Sequence, residues 1–453
     1  MHSVVVGLGK TGASCLRFLS KRGIPVSATD SRLKPPGLAD LGDLAESIDL
    51  RLGGFDLSLL DDASQVLMSP GVSLDEPIAR AARERGIEVL GDVELFARHV
   101  HAPVIGITGT NGKSTVTTLV ARMAAAAGRS VLAGGNLGVP ALDLLEEPVP
   151  DLYVLELSSY QLETTSSLQL RAAVVLNVTA DHLDRYASVV EYARAKSRIF
   201  AKAATVVLNA DDPLVAGMES EAGGPDEAGG SGDAVRTVTF SIEHGRADYS
   251  LLREGTRTLL ARHGQALMDV ARMKITGLHN AANALAALAL GDAAGLPMPA
   301  MLEALASFPG LPHRCEWIAE VAGVRYIDDS KGTNVGATMA AVAGMTGPLV
   351  MIAGGEGKGQ DFTPLAAAFR GKVRHTVLIG RDAPMLAAAL KGVCTTQMAA
   401  SMDDAVALAA GEATAGDTVL LSPACASLDM FRDYGHRGDV FAAAVRRLSG
   451  GGA

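Results

Sequence analysis

The chain has 453 residues, a formal net charge of -10 and 48% apolar residues. At about 100 to 200 residues per domain it is too long for one compact domain and is expected to hold about three. The acidic balance, with a pI near 5.5, argues against a nucleic-acid partner, because phosphate backbones are bound through surplus Lys and Arg.

Residues 1–92 alternate short apolar runs with amphipathic stretches: Ser3–Val6, Thr11–Lys21, Pro25–Asp30, Gln65–Ser69 and Asp75–Arg85. That alternation predicts a parallel sheet flanked by helices. Between the first run and its helix stands Gly7-Leu-Gly-Lys-Thr-Gly12, with Asp30 closing the next strand. Small residues there let a backbone approach a pyrophosphate at a helix N-terminus, and an acid can hold a ribose. A dinucleotide, a nucleotide sugar and a tight structural turn all remain open at this point.

The second block, 93–309, opens with the apolar run Ala102–Thr108, the loop Gly109-Thr-Asn-Gly-Lys-Ser-Thr115 and a helix over Val116–Ala127. The G-x-x-x-x-G-K-[ST] spacing is not met, since Ile107 stands where the first Gly belongs. The working parts are nevertheless present. Gly109 and Gly112 allow positive φ, consecutive N–H groups can surround phosphate oxygens, Lys113 can reach the β- and γ-phosphates, and Ser114 can ligate Mg²⁺.

Strands are expected at Asp151–Glu156, Ala172–Asn177 and Thr205–Asn209. Glu156, in Leu155-Glu-Leu-Ser-Ser-Tyr-Gln-Leu-Glu163, ends one strand where ligands of α/β sheets collect, and its carboxylate suits an oxygen-seeking cation. Asp181 and His182 follow the next strand in the same way. Lys196, in the helical segment Glu191–Phe200, has no role beyond a solvated or ion-paired side chain on pattern alone. The Gly-rich acidic stretch Glu219–Asp233 reads as a mobile surface loop.

The third block, 310–453, alternates again through Val324–Asp328, Asn334–Gly344, Pro348–Ala353, Thr376–Ile379, Thr418–Leu421 and a final helix to Leu448. Asp329, Lys331, Thr333, Lys358 and Ser427 follow three of these strands and should gather along one sheet edge, where cations and hydroxyls suit anionic groups. Three α/β domains in series result.

Four widely spaced cysteines, Cys15, Cys315, Cys394 and Cys425, form no C-x-x-C pair. This disfavours a zinc site or a disulfide framework and fits a reducing cytoplasm. The N-terminal residues lack the basic and apolar regions of a signal peptide, and no uninterrupted apolar run approaches membrane-spanning length. A soluble chain is expected.

In order and spacing, GTNGKST, Gly134–Gly138 (GGNLG), ELSSYQLE, NVTADHLDRY, Leu278–Ala287 (LHNAANALAA), Gly310–Arg314 (GLPHR), DDSKGTN and LSPACASLDMF resemble the Mur ligases of bacterial peptidoglycan precursor synthesis. The resemblance covers essentially the whole chain. The ending Leu421–Phe431, with Arg437 and Gly438, resembles the member that adds D-glutamate to UDP-N-acetylmuramoyl-L-alanine.

This resemblance implies an α/β fold of three domains: Rossmann-like 1–92 for the UDP-sugar, P-loop ATPase-type 93–309 for ATP, and Rossmann-like 310–453 for the amino acid. It implies UDP without NAD at the first loop. Lys10, Thr11, Ser31 and Arg32 would hold uridine and pyrophosphate, and Asn136 with His182 the muramoyl-alanine end. Gly109, Thr110, Asn111, Gly112, Lys113, Ser114, Thr115, Asn280, Asn283, Arg314 and Asp329 would meet the nucleotide. Thr333, Lys358, Ser427, Leu428 and Tyr434 would line the D-glutamate pocket. Lys196 corresponds to the family's carbamylated lysine.

Two Mg²⁺ ions would be held, one near Ser114 and Glu156 and one near His182 and carbamylated Lys196, with Lys113, Lys196, His182 and Lys331 as the catalytic set. The partners are small molecules, the chain is expected to be a monomer, and its domains must close for chemistry. Two residues depart from the family pattern: Glu356 stands where Asp is expected, which bears on how Lys331 is positioned, and Tyr434 where Phe is familiar. The rival readings are an NAD-dependent dehydrogenase resting on Gly7, Gly9 and Gly12, a nucleotide-gated assembly protein, a sibling Mur ligase, and a folylpolyglutamate synthetase-type ligase.

Overall fold

The computed structural model describes residues 2–136, 138–183, 185–218, 235–275, 277–345 and 347–450. The acidic stretch Glu219–Asp233 lies outside the described residues. By its contacts the chain divides into two compact units, one of Met1–Asn177, Ala193–Met268 and Asn283–Leu305, the other of Val178–Tyr192, Asp269–Ala282 and Ala306–Ala453.

The first unit contains a five-stranded parallel sheet built from β1 (Ser3–Val6), β2 (Val26–Asp30), β3 (Asp49–Leu52), β4 (Gln65–Met68) and β5 (Glu88–Leu90), in the order β3-β2-β1-β4-β5. β1 and β4 are buried throughout, so their sequences run apolar without alternation, as strands covered on both faces do. The order reverses at β1, and the turn leaving β1 enters the helix Lys10–Lys21. That reversal is where open α/β sheets take ligands.

A nine-stranded sheet follows: β6 (Val104–Thr108), β7 (Val131–Gly135), β8 (Leu152–Glu156), β9 (Ala172–Val175), β10 (Thr205–Asn209), β11 (Arg236–Phe240), β12 (Tyr249–Glu254), β13 (Arg257–Arg262) and β14 (Gln265–Asp269). Its order is β14-β13-β12-β11-β10-β9-β6-β8-β7. β6, at the heart of the parallel part, pairs with both β8 and β9 and is buried at every residue. The extension through the antiparallel pair β12 and β13 was not anticipated from the sequence.

Within this unit the helix Lys10–Lys21 lies along the segment Gly138–Glu146 through a row of polar contacts. Lys10 donates to the Gly138 carbonyl, Ser14 Oγ to Asp143 at 2.5 Å, and Arg17 to Asp143 at 2.9 Å, while Lys21 and Arg22 both meet Glu146. These donors fall at helical spacing on one face.

In the second unit, β15 (Glu316–Val321), β16 (Val324–Asp328), β17 (Leu349–Gly354), β18 (Val373–Ile379), β19 (Thr395–Met398) and β20 (Thr418–Leu421) form a sheet in the order β15-β16-β20-β17-β18-β19. Only the edge strand β15 is antiparallel to its neighbour, and it leaves Trp317, the chain's one tryptophan, 62% exposed. Both faces are covered: Met351 and Ala353 pack into one apolar cluster with Leu365, Phe369 and Leu386, and Val350 and Ile352 into the other with Val406, Phe441 and Val445.

Candidate active site

β6 delivers the chain into the loop Gly109–Gly112 ahead of the helix Lys113–Ala126. Gly109 has φ +144° and Gly112 φ +84°, so both positions need glycine. A Cβ on Gly109 would press on Leu176 at 3.0 Å, and one on Gly112 would overlap the Asn283 amide oxygen. Gly112 caps the helix without a side-chain hydrogen bond, leaving the positive end of the dipole for an anion.

The cradle of consecutive N–H groups expected from sequence is narrower in the structure. The Thr110 N–H donates to the Asn177 carbonyl at 2.9 Å, and the Asn111 N–H to Asn177 Oδ1 at 2.8 Å. Asn177 Nδ2 donates in return to the Asn111 carbonyl at 3.1 Å. Asn177 therefore shapes the loop, a role sequence reasoning missed although the residue stood in a quoted motif. Ser114 and Thr115 are buried in the helix's first turn.

Lys113 folds back over the loop, donating to the carbonyls of Gly109 and Thr110 at 2.9 Å each. Lys196 is 1% exposed, and its Nζ donates to the same Gly109 oxygen at 3.0 Å. The solvated side chain that pattern alone suggested for Lys196 is thus replaced by a buried amine at the nucleotide loop.

Glu156 ends β8 in register with Ile107 of β6. It is 3% exposed; its Oε1 accepts from Asn136 Nδ2 at 2.6 Å, while Oε2 is buried with no hydrogen-bond partner. An orphaned carboxylate oxygen deep in a site costs free energy unless something binds it. A hard divalent cation suits this oxygen, with the Ser114 hydroxyl as a companion ligand type.

Lys10, Thr11, Ser31, Arg32 and Asn136 come together around one cavity of about 830 Å³ that also takes in Gly7 and Gly9. Asp30, expected to be open to a ribose, is engaged internally. Its carboxylate accepts from the Leu8 N–H at 2.6 Å, from the Arg32 N–H and Nε at 2.8 Å each, and from Arg32 Nη2 at 2.7 Å. Burial pushes its pKa up, but these hydrogen bonds prevail and hold it below the usual value. Asp30 therefore sets the β1 loop and the Arg32 guanidinium. Asn283, expected from the resemblance to meet the nucleotide, is buried beside Gly112 in this unit.

In the second unit the carboxyl ends of β16, β20 and β17 lie side by side, which brings Asp329, Lys358 and Ser427 to one edge as expected. Asp329 accepts from Ser422 Oγ at 2.7 Å, and Arg314 acts on it electrostatically. Burial raises the Asp329 pKa to about 7 against the lowering effect of those groups. Lys331 Nζ sits 3.8 Å over the Tyr434 ring, a cation–π contact. Thr333 follows in the same turn, its N–H donating to the Lys331 carbonyl at 2.8 Å. Leu428 is 68% exposed.

Glu356, the residue that departs from the family pattern, pairs with Arg381 at 2.8 Å and exchanges backbone hydrogen bonds with Ala426. Lys358 lies 4.0 Å from Asp181, which also accepts from Asn334 at 3.3 Å. His182 has φ +55°, and its ring meets Tyr192 edge-on at 6.0 Å. Asn280 is buried in this unit.

Arg437, valued in the sequence only as part of an ending, is completely buried. Its guanidinium donates to Ser330 Oγ at 2.9 Å, to the Ser330 carbonyl at 2.8 Å and to the Cys425 carbonyl at 3.1 Å. Burial lowers its pKa to about 10. The signal was available: Arg437, Phe441, Ala444 and Val445 share one helical face, and the last three are core.

Residues 1–91 match the Mur ligase MurD-like N-terminal domain, 107–291 the Mur ligase middle domain, and 313–425 the Mur ligase glutamate ligase domain. The UDP-N-acetylmuramoylalanine–D-glutamate ligase of Nitrosococcus oceani is 53% identical over 449 residues, covering 98% of this chain and 96% of its own. The chain belongs to the Mur ligase family. A second such Mur ligase, from Methylobacillus flagellatus, is 50% identical over 451 residues, with 98% and 96% coverage.

The fold of this Mur ligase agrees with that of two solved structures. The pseudomurein peptide ligase type C of Methanothermus fervidus aligns with a TM-score of 0.63 at 21% identity, covering 99% of both chains. The UDP-N-acetylmuramate-alanine ligase of Thermotoga maritima aligns with a TM-score of 0.61 at 19% identity, again over 99% of both. No described helix is long and apolar enough to cross a membrane.

Proposed function

We propose that this Mur ligase joins D-glutamate to UDP-N-acetylmuramoyl-L-alanine at the expense of ATP, in peptidoglycan precursor synthesis. Relatives of about half identity over nearly the whole chain, which carry that activity in their names, support the choice of amino acid. The observation that carries the chemistry is the convergence of Lys113 and buried Lys196 on the Gly109 carbonyl, in the sheet whose Glu156 keeps an unpartnered oxygen.

Lys113 and the helix start at Gly112 bind the triphosphate of ATP and balance its charge. An oxygen of the alanyl carboxylate attacks the γ-phosphorus, the bond to the ADP oxygen breaks, and an acyl phosphate forms. The D-glutamate amine then attacks the acyl carbon, phosphate leaves, and the amine loses a proton. Magnesium, when bound, supplies charge neutralisation at the phosphoryl group.

Ser114 and Glu156 are the residues for one ion. As a neutral amine, Lys196 adds CO₂ and releases a proton to become a carbamate, which turns a cation that repels metal into an anion that binds it. His182 is assigned to the same second ion by the resemblance alone. Lys10, Thr11, Ser31 and Arg32 take the UDP end of the acceptor in their shared cavity, which Asn136 also lines. Asn280, Asn283, Arg314 and Asp329 take the nucleotide, and Thr333, Lys358, Ser427, Leu428 and Tyr434 the D-glutamate, with Lys331 held against Tyr434.

The test is phosphate release from ATP across a panel of UDP-muramoyl acceptors and amino acids. Turnover is expected only with the L-alanyl acceptor and D-glutamate, because a pocket built for one stereoisomer rejects the other. Equal turnover with L- and D-glutamate would sink the assignment.

A further inference from the structure

Asn136 stands immediately after β7, opposite the end of β8. Its position is tightly defined: Gly135 pairs with Glu156 and has φ +94°, a Cβ there would overlap the Glu156 carbonyl oxygen, and the Asn136 N–H donates to that same oxygen at 2.8 Å. The side chain continues the grip. A carboxylate only accepts, so the amide NH₂ must be the group that faces Glu156, and it donates to Oε1 at 2.6 Å.

One carboxylate oxygen is thereby engaged and the other, Oε2, stays buried without a partner. Fixing Oε1 stops rotation of the carboxylate about its last bond, so Oε2 is presented in one direction. Mg²⁺ demands near-ideal octahedral geometry at about 2.0–2.1 Å and tolerates a swinging ligand poorly, whereas Ca²⁺ accepts looser arrangements. Residues that hold a metal ligand by its other atom typically change metal affinity by about 10–100-fold when removed.

We infer that Asn136 is a positioning residue for the Glu156 carboxylate, committing its amide donor to Oε1 so that Oε2 is aimed at a divalent cation. This rests on the reading of Glu156 as a magnesium ligand, and it gives Asn136 a task separate from holding the acceptor. An aspartate there could not do it, since two carboxylates would face each other.

The test measures binding of Mn²⁺, and its displacement by Mg²⁺ or Ca²⁺, to the full-length protein with a non-hydrolysable ATP analogue, by electron paramagnetic resonance. Wild type, Asn136→Ala, Glu156→Gln and the double variant are compared. Each single substitution is expected to weaken Mg²⁺ about tenfold or more, and Asn136→Ala is expected to weaken Mg²⁺ more than Ca²⁺. The double variant is expected to be no worse than Glu156→Gln, because Asn136 acts through Glu156.

Unchanged metal affinity in Glu156→Gln would remove the underlying reading of Glu156 as a ligand. A loss in Glu156→Gln without one in Asn136→Ala, or two losses that add in full, would overturn the positioning role alone. Metal-free binding of the analogue should match wild type in every variant. A fall there in Asn136→Ala would mark the residue as structural and likewise overturn the inference.

Discussion

The Lys196 side chain donates to the Gly109 carbonyl at 3.0 Å, and the Lys113 ammonium shares that oxygen at 2.9 Å. Two ammonium groups on one acceptor repel each other, and one of them is almost fully removed from water. Converting Lys196 to a carbamate removes the repulsion and keeps an N–H for the same bond. Lys196→Ala is therefore expected to lower kcat by about 10²–10³-fold, with partial recovery on adding formate or acetate. Full activity in that variant, indifferent to bicarbonate and short carboxylates, would exclude the carbamate.

Gly112→Ala should act on nucleotide binding. Its φ of +84° is unfavourable for any residue with a Cβ, and the added carbon meets the Asn283 amide. Strain of this kind costs about 1–3 kcal/mol, so the dissociation constant for ATP should rise by roughly tenfold or more, read by calorimetry. Affinity for the UDP-sugar acceptor, which we propose enters the cavity lined by Lys10 and Arg32 and not by Gly112, should not follow.

Arg437→Ala should destabilise the second unit. The guanidinium satisfies the Ser330 hydroxyl and carbonyl and the Cys425 carbonyl in a fully buried place, and each group left unsatisfied costs about 1–3 kcal/mol. A loss of roughly 3 kcal/mol or more in urea unfolding is expected. Arg437→Lys should recover little, since an ammonium cannot reproduce the planar fork.

Stability should also fall as pH rises from about 4 to 7. Burial raises Asp329 to about 7 and Asp92 to about 6, so between the ordinary carboxylate value and these values the folded chain binds more protons than the unfolded one. Stability is then highest at the acid end of that window and is lost as each group ionises. Asp92→Asn should flatten the part of the unfolding-versus-pH curve below about 6, and Asp329→Asn the part extending to about 7.

Much of this was legible before the structure. β10, β16 and β20 fall where the sequence places them; β10 and β20 do so because strands buried on both faces read as runs of Val and Leu. That Lys10, Thr11, Ser31, Arg32 and Asn136 would share one cavity followed from strand-end turns and from resemblance. Other features were not, and the reasons are physical. The Leu8 N–H that joins Arg32 on the Asp30 carboxylate comes from 22 residues away, and the Asn177 clasp on the loop spans 66 residues. Lys196 sits in a helix with a weak apolar pattern, where periodicity cannot tell a buried amine from a solvated one. Arg437 could have been placed by its helical face but not assigned acceptors, which come from the loops after β16 and β20.

Trp317, alone of its kind and open to water on the edge strand β15, gives the chain a built-in optical label confined to one of its two compact units. Intrinsic tryptophan emission follows the C-terminal sheet and is blind to the other two. Chains with more than one cooperative unit need not unfold in a single step. A mismatch between the tryptophan signal and far-ultraviolet circular dichroism, which sums over every helix and strand, would expose separate transitions without any dye or engineered probe.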